Sequence, residues 1–284
     1  MADDSIQPAE LRREDVLTVD DDHFTADSVA IVTGAGSGIG RATAVALAAN
    51  GLTVAATDID EEGLAETVEE AERCEVEGTV ETVVGNLTND DDIERIVAES
   101  AEYGQVRYLA NIAGLQHIDP LPEFPMEKYD LMHDIMLRAP FYLSKLVMPH
   151  IRDTDDQVGA IGNMASIHGH IATQDKAGYI TSKFGLRGLT QSIAAEGEGT
   201  LRAFTISTGY VKTPLVTDQI PDTAEERGIT EREVVEDVML GDARVKEMME
   251  PVEVANLFVL GFSKHGRHLD GGDLTWDGGH LTTY

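Results

Sequence analysis

The sequence predicts an α/β protein built as one doubly wound parallel sheet, and three observations carry that prediction. Short apolar β runs alternate with helical periods from residue 28 to the C-terminus. The first β run ends in a glycine-rich turn that leads directly into a helix. No linker, internal repeat or low-complexity stretch separates two cores. Strands that alternate with helices give a parallel sheet covered on both faces. Such a sheet takes ligands at the carboxyl ends of its strands.

Residues 1–27 are polar and acid-rich, with the run Asp20-Asp21-Asp22, and read as a mobile or surface-lying tail ahead of a single domain over residues 28–284. Val29-Ala30-Ile31-Val32 is the first strand. Ala42, Val45, Ala46 and Ala49 recur at helical spacing behind it. Residues 52–57 form the next strand, and residues 61–74 are helical in period. Residues 79–84 are a strand, and residues 91–102 a helix whose opening acids suit its N-terminal dipole. Residues 108–111 end a strand at Asn111, and a long helix covers residues 128–152. Residues 160–164 are a strand, residues 178–196 a helix, and residues 202–206 a strand. Residues 215–250 are polar and partly helical, and residues 274–276 close the sheet.

The 284 residues carry 52 acids against 21 lysines and arginines, a formal net charge of −31. The acids are spread along the whole chain, which implies a carboxylate-coated surface. Such a surface repels phosphate backbones and anionic membranes, so nucleic acid and membrane are excluded as partners. The composition resembles that of cytoplasmic proteins from salt-in halophiles. No apolar run approaches the ~20 residues that cross a bilayer, and the acidic start is unlike a signal peptide, so a cytoplasmic location is expected. Cys74 is the only cysteine, so no internal disulfide forms, and no metal-ligand spacing occurs, the His265–His268 stretch included.

Two motifs carry chemistry. Thr33-Gly34-Ala35-Gly36-Ser37-Gly38-Ile39-Gly40 sits between a strand and a helix. There glycines let backbone approach a pyrophosphate, and the helix start offers unpaired N–H groups to the anion, as in Rossmann-type folds. Asp58, at the end of the second strand, suits the adenosine ribose hydroxyls and repels a 2′-phosphate, which favours NAD over NADP. In the second motif Ser166 follows a strand, Tyr179 lies downstream, and Lys183 falls four residues after Tyr179. Positions i and i+4 share a helix face, which puts an ammonium beside a phenol. The ammonium and an oxidised nicotinamide both favour phenolate and would bring it from ~10 toward working pH.

Together with Asn111-Ile112-Ala113-Gly114 and Asp277-Gly278-Gly279, these segments resemble the short-chain dehydrogenase/reductase family from residue 28 onward. Within it they are most similar to the 3-hydroxybutyrate dehydrogenase branch. That similarity rests on residues 163–169, 176–179, 114–117, 213–220 and 276–279. The resemblance implies that Ser166 holds the substrate oxygen, that Tyr179 is the general acid/base, and that Lys183 lowers its pKa. It places a dinucleotide against Gly34, Ser37, Gly38, Ile39, Gly40, Asp58, Asn86, Leu87, Asn111, Ala113, Gly114, Tyr179, Lys183, Val211 and Thr213. It implies that Gln116, His168, Lys176 and Gln219 grip a substrate carboxylate, and it implies a homotetramer. One cation and three neutral donors make a small anion clamp for a short hydroxy acid.

One position departs from the family pattern. The Asn on the long helix, whose amide anchors a proton-relaying water in the family, reads Met136. A thioether is a weak acceptor and no donor. Asn86 stands in place of an adenine-side Asp, and Phe204 and Thr208-Gly209 replace an Asn and a Pro-Gly pair. Two other functions compete with a hydroxybutyrate dehydrogenase: a short-chain dehydrogenase for another small alcohol or hydroxy acid, and a catalytically impaired NAD-binding regulator. The carboxylate clamp argues against a thioester substrate, and the intact Ser, Tyr and Lys argue against the regulator.

The charge predicts salt-dependent folding. At molar salt the Debye length falls to about 3 Å, which removes the self-repulsion of the acidic surface. The thermal midpoint is expected to rise steeply from low to molar KCl, followed by circular dichroism. A midpoint flat with salt would make this an ordinary acidic protein.

Overall fold

The computed structural model describes residues 6–282. Its seven strands are β1 (Ser28–Thr33), β2 (Thr53–Asp58), β3 (Thr79–Val84), β4 (Gln105–Asn111), β5 (Gly159–Met164), β6 (Leu201–Thr208) and β7 (Gly272–Trp276). They form one sheet in the order β3-β2-β1-β4-β5-β6-β7, with every pairing parallel. Helices α1 (Gly38–Ala48), α2 (Glu61–Arg73) and α3 (Asp90–Glu102) follow the first three strands. Helices α4 (Met126–His133), α5 (Ala139–Arg152) and α6 (Ala177–Glu196) follow in chain order. This is the doubly wound architecture read from the sequence.

β1 shows why the two-sided sheet forms. All six of its residues are buried. Ala30 and Val32 point into one core, and Val29 and Ile31 into the other, as the period of two in a strand demands. β1 also lies between β2 and β4, so successive connections leave it in opposite directions. The chain parts at its carboxyl end, and a crevice opens there.

Three regions differ from the sequence expectations. The helix expected over residues 128–152 is interrupted by a π turn, Asp134–Arg138, between α4 and α5. Pro140 has no N–H to give the Met136 carbonyl, so the regular ladder cannot run through this point. A helix that the sequence reading did not identify, Pro251–Phe262, packs against α1; its residues are so uniformly apolar that no amphipathic period appears. Residues 214–250 contain three short helices, α7 (Pro214–Thr217), α8 (Gln219–Arg227) and α9 (Glu231–Glu233), with a second π turn at Val234–Met239. They close over a small core of their own that includes Ile220, Val234, Met239 and, from the N-terminal segment, Ile6. The helix at Pro251–Phe262 is α10.

The segment ahead of β1 lies along the surface and is pinned to it. Asn50 donates to the Leu17 carbonyl (2.9 Å) and accepts from the Val19 N–H (2.9 Å). Asn256 accepts from the Leu17 N–H (2.7 Å) and donates to the Asp15 carbonyl (2.9 Å). Val16 and Phe24 enter the main core, and Phe24 meets Tyr108 edge-on at 5.6 Å between ring centres. Among the described residues no helix is long and apolar enough to cross a membrane.

Phe24 makes that segment part of the fold. Phe24→Ala is expected to cost about 3 kcal/mol of unfolding free energy in denaturant titrations. A loss below about 1 kcal/mol would show that the anchor contributes no more than an ordinary surface contact.

Candidate active site

A cleft of about 440 Å³ opens where β1, β4, β5 and β6 end. Every residue predicted to touch the dinucleotide lines it except Asn111, and Ser166 lines it too. Asn111 is buried behind the cleft, where it donates to Asn163 (2.8 Å) and ties β4 to β5. Its role in this structure is to brace the sheet, since the strand end carries its side chain inward.

The cofactor end is shaped by close backbone approach. Gly34 has φ +69°, and a Cβ there would lie 2.8 Å from the Ala113 Cα. A Cβ on Gly40 would overlap the Gly34 carbonyl oxygen. The opening therefore admits backbone only, which is what a pyrophosphate-binding turn needs. The first N–H groups of α1 have no partners within the helix, and Ser37 makes no side-chain cap. Asp58 accepts from the Gly36 N–H (3.0 Å) and the Asp60 N–H (3.1 Å), which fixes its carboxylate at the cleft edge. These residues fit a nicotinamide dinucleotide.

Three residues to which the sequence reading gave no role hold this end in place. Thr33 accepts from the Ile112 and Ala113 N–H groups (3.0 and 3.2 Å), locking the loop after β4 to β1. Arg41 donates to the Gly36 carbonyl and pairs with Glu66 (2.6 Å). Thr67 donates to the Ala35 carbonyl (2.7 Å). Thr33 and Thr67 gave no signal because they act on backbone far away in sequence, and Arg41 because it joins its own turn to the distant Glu66.

At the catalytic end, Tyr179 and Lys183 share the inward face of α6, and both are buried. Lys183 Nζ donates to the Met164 carbonyl (2.7 Å) and lies 5.4 Å from the Tyr179 ring centre. Burial pushes Lys183 down to about 8 and Tyr179 up to about 12. In the absence of a dinucleotide, desolvation is the larger influence on both groups. Ser166, on the turn after β5, acts against the rise of the phenol. Met132 and Met136 pack against Tyr179 in one apolar cluster, and Met136 is 1% exposed. Tyr210, half-buried near the Tyr179 phenol after β6, was not identified from the sequence, although the end of a parallel strand is where such residues sit.

The four residues expected to grip a carboxylate fall into two pairs. Gln116, in the loop after β4, donates to Gln219 (3.3 Å) at the start of α8. The charge of Lys176 acts on His168. Lys176 is partly buried, burial lowers its pKa, and it has no acid or hydrogen-bond partner for its ammonium among the described residues. His168 differs from the expectation. Its Nδ1 lies 3.5 Å from Ser166 Oγ and its Nε2 lies 3.0 Å from Thr173 Oγ1, so both ring nitrogens are already engaged. Burial, with the charges of Lys176 and His280, pushes its pKa down to about 4.

The comparisons agree with this geometry. The family described as short chain dehydrogenase matches residues 28–224. D-beta-hydroxybutyrate dehydrogenase of Rhizobium meliloti (strain 1021) is 32% identical over 252 residues, covering 88% of this chain and 97% of that protein. The 3-oxoacyl-acyl-carrier-protein reductase of Thermotoga maritima is 30% identical over 253 residues, covering 88% and 96%. The crystal structure of levodione reductase superposes with a TM-score of 0.84 at 28% identity, covering 92% of this chain and all of that one.

His168 gives a pH-dependent stability. In the fold its imidazole stays neutral down to about pH 4, whereas in the unfolded chain it takes up a proton near pH ~6.5. Its contribution is present above that unfolded value and drains away as pH falls toward 4. Relative to His168→Gln, the wild type is expected to lose up to about 3 kcal/mol between about pH 7 and pH 4 in urea titrations. Equal pH dependence in the two proteins would refute this.

Proposed function

The chain belongs to the short-chain dehydrogenase family, and from that membership we propose that it is an NAD-dependent dehydrogenase interconverting D-3-hydroxybutyrate and acetoacetate. The observation that carries the substrate reading is Lys176. A chain with 52 acids leaves this partly buried ammonium without a carboxylate among the described residues. Leaving a desolvated charge unpaired is costly, so the partner comes from outside, and it is an anion. Gln116 and Gln219 supply neutral donors, and the resemblance to hydroxybutyrate dehydrogenases supports a short hydroxy acid.

For oxidation, Ser166 holds the substrate hydroxyl and Tyr179, as phenolate, takes its proton. Lys176 and the two glutamines fix the carboxylate, so the C3 hydrogen faces the cofactor cleft. Once bound, the dinucleotide supplies the hydride acceptor and a positive ring that opposes the upward push on Tyr179. Met132 and Met136 keep water from the phenol's apolar side. Lys183 stays charged on the Met164 carbonyl and holds the floor of the site. Asp58 takes the adenosine ribose hydroxyls, which supports NAD as the cofactor.

Steady-state kinetics in molar KCl test this reading. NAD is expected to be preferred over NADP by at least about tenfold in kcat/KM, since a 2′-phosphate beside Asp58 costs more than about 1.4 kcal/mol. Lys176→Ala should raise KM for 3-hydroxybutyrate by about 10- to 100-fold, the loss of a charge-assisted hydrogen bond, with KM for NAD little changed. Equal use of both cofactors would remove the ribose assignment to Asp58. An unchanged substrate KM in Lys176→Ala, or faster turnover of the methyl ester than of the acid, would remove the hydroxy-acid assignment.

A further inference from the structure

The helices between residues 214 and 250 form a cover at the substrate end of the cleft, and the cover is fastened at both ends. At its start Thr213, Leu215 and Val216 line the cleft, and Gln219 opens α8 within reach of Gln116. At its end Met249 bridges Val211, and the Arg244 and Val245 N–H groups donate to the Gly278 carbonyl (2.9 and 3.0 Å). Between these ends, residues 219–239 carry seven acids against two arginines. So acidic a stretch is pushed away from an acidic body, and apolar contact is what holds it. Among the described residues, the buried members of the cover's core lie between residues 220 and 248 with one exception, Ile6. That side chain is 6% exposed.

The segment that carries Ile6 is tied to the body on its other side. The Ala9 N–H donates to one oxygen of Glu250 (2.9 Å), and the other oxygen accepts from Lys212 Nζ (2.6 Å). Lys212 lies between Val211 and Thr213, which both line the cleft. Leu11 packs against the main core, and Arg13 donates to the Ala49 carbonyl at the end of α1 (3.1 Å). Asn50 and Asn256 hold the residues that follow. A short run of chain therefore reaches from the body of the fold into the middle of the cover.

We propose that residues 6–9 are a strap that holds this cover in place over the substrate, with Ile6 as a positioning residue for Gln219. This rests on the hydroxy-acid reading of the site, in which Gln219 meets the carboxylate. Ile220 follows Gln219 directly and shares the buried cluster with Ile6, so the strap sets how the first turn of α8 is seated. Seated, Gln219 keeps its bond to Gln116, and the two amides wait for the substrate already in place. Burial of one isoleucine side chain is enough for at least about a tenfold bias toward the seated cover. Released from the strap, the cover still hangs from its two fastened ends. The glycine turn after β1 and the catalytic face of α6 keep their places, so substrate affinity falls while the chemistry is spared.

Two measurements on the full chain in molar KCl test the strap, one of them independent of any substrate. Hydrogen exchange is followed by mass spectrometry in the wild type, Ile6→Ser and Ile6→Leu. In Ile6→Ser the amides of residues 219–239 should exchange at least about tenfold faster, with β1 and β4 unchanged. Steady-state kinetics with NAD should then show KM for 3-hydroxybutyrate raised about tenfold in Ile6→Ser, with kcat and KM for NAD within a few-fold of wild type. Ile6→Leu, which keeps the apolar anchor, should restore both readouts. Wild-type exchange over residues 219–239 in Ile6→Ser would overturn the strap, and so would exchange that rises equally in β1 and β4. Faster exchange with an unchanged substrate KM would overturn the positioning of Gln219. If the wild type does not turn over 3-hydroxybutyrate, the substrate assignment falls separately; exchange still decides the strap, and KM is read on the alcohol that the enzyme does oxidise. Should Ile6→Ser fail to fold, Ile6→Ala takes its place with the same outcomes deciding.

Discussion

The cofactor end of this molecule depends on one close approach: the turn after β1 comes nearer to the loop after β4 than any side chain permits. Gly34 sits against the Ala113 backbone, and Thr33 bonds the N–H groups of the same loop. Those contacts hold two strand ends together at the point where the chain parts to either side of β1. The start of α1 is then exposed to the cleft instead of being capped, and Asp58 is set beside it. Remove the approach and the start of α1, the Asp58 carboxylate and the loop bearing Gly114 lose their common frame.

The catalytic end is governed by desolvation. Burial drives Tyr179 up and Lys183 down, so both of the motif's titratable groups are pushed toward neutrality. Without a ligand in the cleft, burial therefore disfavours the charged forms of both groups. Ser166 offsets part of this for the phenol. The outside of the protein is the reverse case: a chain at net −31 keeps its acids in water, where salt screens them. Lysine is scarce in this sequence, and two of its lysines, Lys176 and Lys183, stand at the site.

Much of this was legible in the sequence wherever the signal was local. The β1 run, its glycine turn and the helix behind it follow from spacing within a dozen residues, and so does the Tyr179–Lys183 face of α6. What escaped was set by distance or by uniformity. α10 has only a narrow polar edge, Glu253 and Asn256, to mark its period, because α1 and the sheet cover most of it. Val16 and Phe24 look like stray apolar residues in an acidic tail until Tyr108 and the asparagines at 50 and 256 are brought to them. Asn111 was read as a cofactor contact from the resemblance, yet its side chain is turned to the neighbouring Asn163. The π turn was readable: Pro140 removes a helical donor, and its effect falls on the carbonyl of Met136.

Met136 brings these threads together. A helix broken at this point puts residue 136 against both Tyr179 and the Gly114 loop, so whatever side chain stands there faces the chemistry. A thioether in that place gives packing and no hydrogen-bond donor. It makes the phenol's surroundings drier, in the same direction as the burial that raises Tyr179. In this chain the wall and the titration are therefore linked: an apolar residue at position 136 adds to the desolvation that disfavours the phenolate of Tyr179.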